Sequence, residues 1–212
     1  RRQRQMCIRD RAINHYGLKV KANSSQVDYW QTVVADMRHV SFDSQPETKE
    51  QSHFLSFSKE TTHQLLKTAN KGYHTEVNDL LLAALARALA GAFDEPVNHI
   101  VLEGHGRESI VDTLDVSRTV GWFTTMFPVR LVHGETVETT IIQTKEMLRA
   151  VPNKGLDYGA LCQVGAIKPD LPRLSFNYLG QLGGGSEQED TWQLIEGELG
   201  EQVPLKNRTH LM

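Results

Sequence analysis

Two cysteines in 212 residues, Cys7 and Cys162, are too few for a disulfide framework or a zinc set. They fit a reducing, cytoplasmic setting. Long apolar runs are also missing. The longest, Leu80 to Phe93, is broken by Arg87 and falls short of the roughly 20 residues that span a bilayer. Basic charge is not in excess: 23 basic against 26 acidic residues give a net charge of −3. That balance argues against an electrostatic nucleic-acid binder and against a polybasic membrane anchor. Five arginines stand in the first eleven positions, but no apolar segment follows them, so they are not a signal peptide. The remainder is acidic, with 18 basic and 25 acidic residues. Several chemical signatures are absent as well. Gly104-x-Gly106 lacks the third glycine of a dinucleotide fingerprint, and no phosphate-binding loop or Gly-x-Ser-x-Gly elbow occurs. Glu103, His105 and His99 offer metal donors without a third ligand at a recognised spacing, so no metal site is read.

What is present suits a folded protein of one or two domains, or a piece of a larger one. Apolar residues make up 39 % and charged residues 23 %; a chain of this length can bury about 70 % of its unfolded surface. Residues 1–28 show no hydrophobic period and read as lacking stable structure of their own. Trp30, Val33, Val34 and Met37 recur at the spacing of one helical face. Ser41 to Gln51 is polar, with Pro46, and reads as a linker. His53 to Ser58 alternates and predicts a strand, after which Ser58 caps a helix carrying Leu65, Leu66 and Ala69 and ending near Gly72. The strongest element is a helix from Thr75 to Ala90. Its main stripe is Val77, Leu80, Leu81, Ala84, Leu85, Ala88 and Leu89, its other side is apolar too, and Gly91 is expected to close it. Strands follow at Val97–Leu102 and Thr125–Val132, a helix at Thr136–Ala150 halted by Pro152, and a third strand at Arg173–Leu179. Gly183 to Ser186 reads as a turn and Trp192 to Ile195 as the start of another strand. Strands alternating with helices predict a mixed α/β layer architecture.

Polar side chains concentrate in Glu103-Gly-His-Gly-Arg-Glu108, where a buried strand runs out. Two glycines flank His105 and permit a tight turn or close backbone approach by a ligand. Glu103 follows Ile100-Val101-Leu102 and is expected at the mouth of the core, partly desolvated. Desolvation raises a carboxylate's pKa and makes it a general acid/base near neutral pH. The competing reading is a structural ion pair with Arg107 or Arg118. His105 on its own reads as a hydrogen-bonded turn residue, and Trp122 and Phe123 as packing.

Five stretches in order carry a resemblance. They are Tyr73-His-Thr-Glu-Val-Asn-Asp-Leu-Leu-Leu-Ala-Ala-Leu85, Leu102-Glu-Gly-His-Gly-Arg-Glu108, Arg118-Thr-Val-Gly-Trp-Phe-Thr124 with Pro128 and Leu131, Pro152-x-x-Gly155-x-x-Tyr158-Gly159, and Phe176-Asn-Tyr-Leu-Gly-Gln181. Over about residues 28–212 the chain resembles the epimerization domain of nonribosomal peptide synthetases, a branch of the condensation-domain superfamily. The second and fifth stretches are hallmarks of that branch.

The resemblance implies a mixed α+β, chloramphenicol-acetyltransferase-like fold of two lobes forming a V with a tunnel between them. It divides the chain into an N-terminal segment, 1–27, of which residues 1–11 look foreign to the family; the end of the first lobe and a linker, 28–52; and the second lobe, 53–212, cut short at its end. It implies inversion of Cα, L to D, in an aminoacyl or peptidyl thioester. The thioester arrives on the phosphopantetheine arm of a peptidyl carrier domain in a neighbouring part of the synthetase. No cofactor, pyridoxal included, is bound by this chain, and neither nucleic acid nor membrane is a partner. By position, Glu103 is the catalytic acid/base, Asn177 and Tyr178 are further catalytic residues, and His105, Arg107, Trp122 and Tyr158 meet the substrate. Tyr178 is equally readable as an aromatic core residue. Two features depart from the family. Asp157 stands where glycine is usual, so the loop at 152–159 is expected to bend differently. The His-His-x-x-x-Asp-Gly motif of the first lobe is missing, since no two of the nine histidines are adjacent. The 212 residues alone are therefore expected to be inactive. The competing functions are peptide-bond formation by a condensation domain, and a non-catalytic module that only docks carriers.

Overall fold

The computed structural model describes residues 13–37, 52–108 and 123–180. Its first element, α1, is helical over residues 13–21, which corrects the expectation that residues 1–28 lack structure of their own. Ile13, Tyr16, Gly17 and Val20 stand at i, i+3, i+4 and i+7, and the last three are buried. The period is hard to see because its third member is glycine. A Cβ on Gly17 would stand 2.7 Å from the Ala160 carbonyl oxygen, so the missing side chain is what lets the two backbones approach. Helix α2, Ser24–Ala35, follows. It carries the expected face: Trp30 is fully buried and stacks edge-on near Phe127 at a centroid distance of 6.0 Å.

Residues 52–58 form neither helix nor strand, and Phe54, Leu55 and Phe57 are exposed. Alternation makes a strand only where an edge pairs and one face is covered, and among the described residues neither happens here. Ser58 caps α3, Lys59–His63, as expected: its Oγ accepts from the Thr61 N–H at 3.0 Å. The chain then widens into one π-helical turn, Gln64–Thr68, before α4, Ala69–Tyr73.

Helix α5 spans Val77–Phe93 and differs from expectation in two ways. It passes through Gly91 and ends on left-handed Asp94 (φ 53°), which seats Phe93 against the core. Its buried face is Asp79, Leu82, Ala83, Ala86 and Leu89, while Ala84 and Ala88 are exposed. Apolar residues all round a helix leave its orientation open, and tertiary packing decides which side is buried. Asp79 is tolerated inside because its carboxylate accepts from the Glu76 N–H at 2.8 Å and lies 3.8 Å from the Arg149 guanidinium.

Strand β1, Val97–Gly104, is buried on both faces from Asn98 to Leu102. It pairs antiparallel with β2, Thr125–Val132, in a register that sets Leu102 opposite Phe127 and Glu103 opposite Met126. Helix α6, Val137–Ala150, is capped by Thr136 and packs on α5. A 3₁₀ turn, Pro152–Gly155, leads into α7, Leu156–Gln163. The third strand, β3, is only Ser175–Phe176, shorter than expected, and lies parallel to β1 on the side away from β2. The expected linker at 41–51, the turn at 183–186 and the strand at 192–195 lie outside the described residues. Among the described residues, no helix is long and apolar enough to cross a membrane.

One core joins α1, α2, α5, β1, β2 and α7 through Tyr16, Trp30, Leu82, Ile100, Phe127 and Leu161, among others. Its tyrosines carry a pH signature. Burial pushes Tyr158 up to about 12 from 10.0, and raises Tyr16, Tyr29 and Cys162 as well. Each of these groups keeps its proton longer when folded. The stability they supply is complete below their ordinary values and is lost as pH rises through the raised ones. For Tyr158 alone the window is pH 10 to about 12, and a shift of that size corresponds to roughly 3 kcal/mol. Thermal melts of the domain are expected to fall steadily above pH 10; a flat melting temperature from pH 9 to 12 would contradict the buried tyrosines.

Candidate active site

Pairing of β3 with β1 decides what stands beside Glu103. The register Leu102↔Phe176 brings Glu103 of β1 beside Asn177, the residue that follows β3. The Asn177 amide Nδ2 donates to Glu103 Oε2 at 3.2 Å. Two residues 74 positions apart, singled out separately in the sequence, thus form one pair. Tyr178 follows Asn177 and is 36 % exposed, so it is not an interior aromatic. Glu103 is exposed as well. The partial desolvation expected of it is not found, because β1 outruns the buried run that ends at Leu102.

Beyond Glu103 the chain turns sharply. Gly106 has φ +63°, and a Cβ there would fall 1.7 Å from the Phe123 carbonyl oxygen. A Cβ on Gly104 would meet Thr125 Oγ1 at 2.8 Å and the Lys154 carbonyl oxygen at 3.2 Å. The two glycines therefore serve a close approach by the protein's own backbone rather than by a ligand. His105 is held within this loop: its Nδ1 accepts from the Arg107 N–H at 3.0 Å, and its Nε2 is 2.9 Å from Glu108 Oε1. These contacts place the imidazole proton on Nε2. The Arg107 guanidinium lies over the Phe123 ring, 4.2 Å from its centroid. Trp122 and Arg118 lie outside the described residues.

Tyr158 sits elsewhere. It is 3 % exposed, packs against Trp30 at 5.3 Å between ring centroids, and its hydroxyl donates to the Asp170 carbonyl while accepting from the Asp170 N–H at 2.9 Å. With its hydroxyl so engaged, Tyr158 packs as a core residue, away from the Glu103–Asn177 pair.

Asp157 was marked by the sequence only as a departure from glycine. The structure buries it completely. Its carboxylate accepts from the Tyr16 hydroxyl and from Asn153 Nδ2, which is 3.0 Å from each oxygen. Burial raises its pKa, opposed by the hydrogen bonds from Tyr16 and Asn153. An acid amid apolar residues, with Tyr and Asn to partner it, was the available signal; the 141-residue separation from Tyr16 hid the pairing. Among the described residues, no group of three or more His, Cys, Asp or Glu is placed to hold a metal ion.

A model of the condensation domain matches residues 15–210. The chain belongs to the condensation-domain family. The match begins earlier than residue 28, in keeping with the structured α1. The chain is 40 % identical over 171 residues to bacitracin synthase 3 of Bacillus licheniformis, covering 75 % of this chain and 3 % of that protein. It is 38 % identical over 180 residues to tyrocidine synthase 1 of Brevibacillus parabrevis, covering 78 % and 16 %. The chain thus spans only a small part of these relatives. Among solved structures, the epimerization domain from the third module of tyrocidine synthetase B is 33 % identical with a TM-score of 0.68, over 80 % of this chain and 41 % of that one. The first condensation domain of the calcium-dependent antibiotic synthetase, 15 % identical with a TM-score of 0.54 over 73 % of this chain and 35 % of that one, shares the fold. This condensation-family chain thus has the mixed helix-and-sheet architecture of its neighbours and covers part of their domain.

Proposed function

We propose that this chain is the C-terminal part of a synthetase epimerization domain, which inverts Cα of a carrier-bound aminoacyl or peptidyl thioester from L to D. The observation that carries the reading is the Asn177–Glu103 pair. Likeness to a solved epimerization domain, at 33 % identity against 15 % for a condensation domain, supports it.

A thioester acidifies its α-hydrogen only modestly, so removing that proton needs a placed base and a stabilised enolate oxygen. Glu103 takes or returns the proton on one face of Cα. Asn177 fixes the orientation of the carboxylate, and the Tyr178 hydroxyl donates to the developing oxyanion. His105 and Arg107 stand in the loop leading away from Glu103, where they meet the carrier-borne substrate; Trp122 is a further substrate contact by its motif. Inversion needs a second acid/base group on the opposite face. The second histidine of the family's His-His-x-x-x-Asp-Gly motif would supply it, and these 212 residues contain no adjacent histidines. The carrier domain, its phosphopantetheine arm and the neighbouring modules enter here as partners of the whole synthetase.

The family model is that of condensation domains in general, which favours amide-bond formation as the second reading. One experiment separates the two. The complete domain is incubated in deuterated buffer with an L-aminoacyl carrier and a downstream carrier. Deuterium at Cα and a D-residue on the original carrier support epimerization. A lengthened peptide on the downstream carrier, with Cα unlabelled, overturns it.

A further inference from the structure

The turn between α6 and α7 is unusual in shape and in what it touches. Asn153 (φ 43°, ψ 39°), Lys154 (φ 51°, ψ 38°) and Gly155 (φ 85°, ψ −3°) are three left-handed residues in succession. Only glycine adopts that conformation freely, so the surroundings must hold the other two in it. The turn reaches the strand end that carries Glu103 at three points. The Lys154 carbonyl oxygen would stand 3.2 Å from a Cβ on Gly104, closer than ordinary van der Waals contact. The Lys154 ammonium is 3.3 Å from Glu108 Oε1. Gly155 lies against the ring of Phe127, with an added Cβ 2.0 Å from it, and Phe127 is the cross-strand partner of Leu102. The residue after Glu103 and the one opposite its predecessor therefore both rest on this turn.

What holds the turn from behind is Asp157. Both of its carboxylate oxygens accept from the Asn153 side chain, one of them also from Tyr16, and no surface of it reaches solvent. We propose that Asp157 is a positioning residue for Glu103: by fixing Asn153 in the left-handed turn, it braces the loop 104–108 and keeps the carboxylate beside Asn177. The catalytic consequence rests on the reading of Glu103 as the acid/base group; the brace itself does not.

The test is Asp157→Asn in the complete domain, which keeps the volume but turns an N–H₂ toward donors that need an acceptor. Two readouts are taken below the variant's melting temperature: Cα deuterium exchange of a carrier-bound aminoacyl thioester, and backbone amide exchange by mass spectrometry. The expected result is a kcat at least tenfold lower with KM for the carrier substrate within twofold, together with faster amide exchange in 104–108 but not in α6. A merely structural acid would lower the melting temperature and loosen amides throughout, leaving kcat within twofold; that result overturns the proposal. If Asp157→Asn does not fold, Tyr16→Phe removes one donor and leaves the carboxylate in place. It is expected to lower kcat about threefold and loosen 104–108; unchanged values for both overturn the proposal. If the wild-type domain shows no Cα exchange, the proton-transfer reading fails, and amide exchange alone decides the brace: unchanged protection at 104–108 overturns it.

Discussion

Glu103→Gln in the complete domain is expected to lower Cα exchange of the carrier-bound thioester by at least about 100-fold, the lower range of what one general acid/base contributes. Glutamine has the size of glutamate and keeps a carbonyl oxygen for the Asn177 amide, which lies 3.2 Å from Glu103 Oε2. What it lacks is the ability to take and return a proton. Asn177→Ala is the complementary change. It leaves the carboxylate and removes the group that orients it, and loss of one exposed hydrogen bond to a charged group, about 1.5 kcal/mol, corresponds to a smaller decrease of roughly tenfold. Quenched-flow exchange in deuterated buffer measures both. A Gln variant that exchanges at the wild-type rate removes Glu103 from the mechanism, whatever Asn177→Ala does.

The largest effect on stability is expected from Gly155→Ala. Its φ of +85° is a region L-residues avoid, at a cost of about 1–2 kcal/mol. The new Cβ would also stand 2.0 Å from the Phe127 ring, and overpacking of this kind costs about 1–3 kcal/mol. The two add to roughly 2–5 kcal/mol. At about 2–4 °C per kcal/mol for a domain of this size, melting should fall by about 10 °C. Gly72→Ala is the matched control. It lies in helical α4, nothing stands within 4 Å of the added Cβ, and alanine there should raise stability by roughly 0.5–1 kcal/mol. Equal melting temperatures for the two variants would show that the left-handed turn is not seated against β2.

Where backbone pattern and local chemistry agreed, the sequence was a sufficient guide. β2 falls on Thr125–Val132 as expected, and α6 begins at the residue after its threonine cap. Where tertiary contact decides, it was not. Gly91 signals a helix end, but Phe93 has a place in the core and the helix continues to reach it. Phe54 to Phe57 alternate as a strand does, but a strand is a property of two chains, and no described residue supplies the second. At the site, the motifs marked Glu103 and Asn177 but could not show that they touch, because that depends on a two-residue parallel pairing. Nor could spacing show Tyr16 closing on Asp157, since the partner lies in a helix whose period passes through a glycine.

The adjacency of β1 and β3 also bears on how condensation-family domains can be recombined. A chimera whose crossover falls between Gly104 and Leu174 inherits one half of the Glu103–Asn177 couple from each parent. Every backbone atom of such a hybrid can be in place while the hydrogen bond is mis-set by the parents' differing offsets. Donor segments exchanged as a block from before Val97 to beyond Asn177 keep the couple under single parentage.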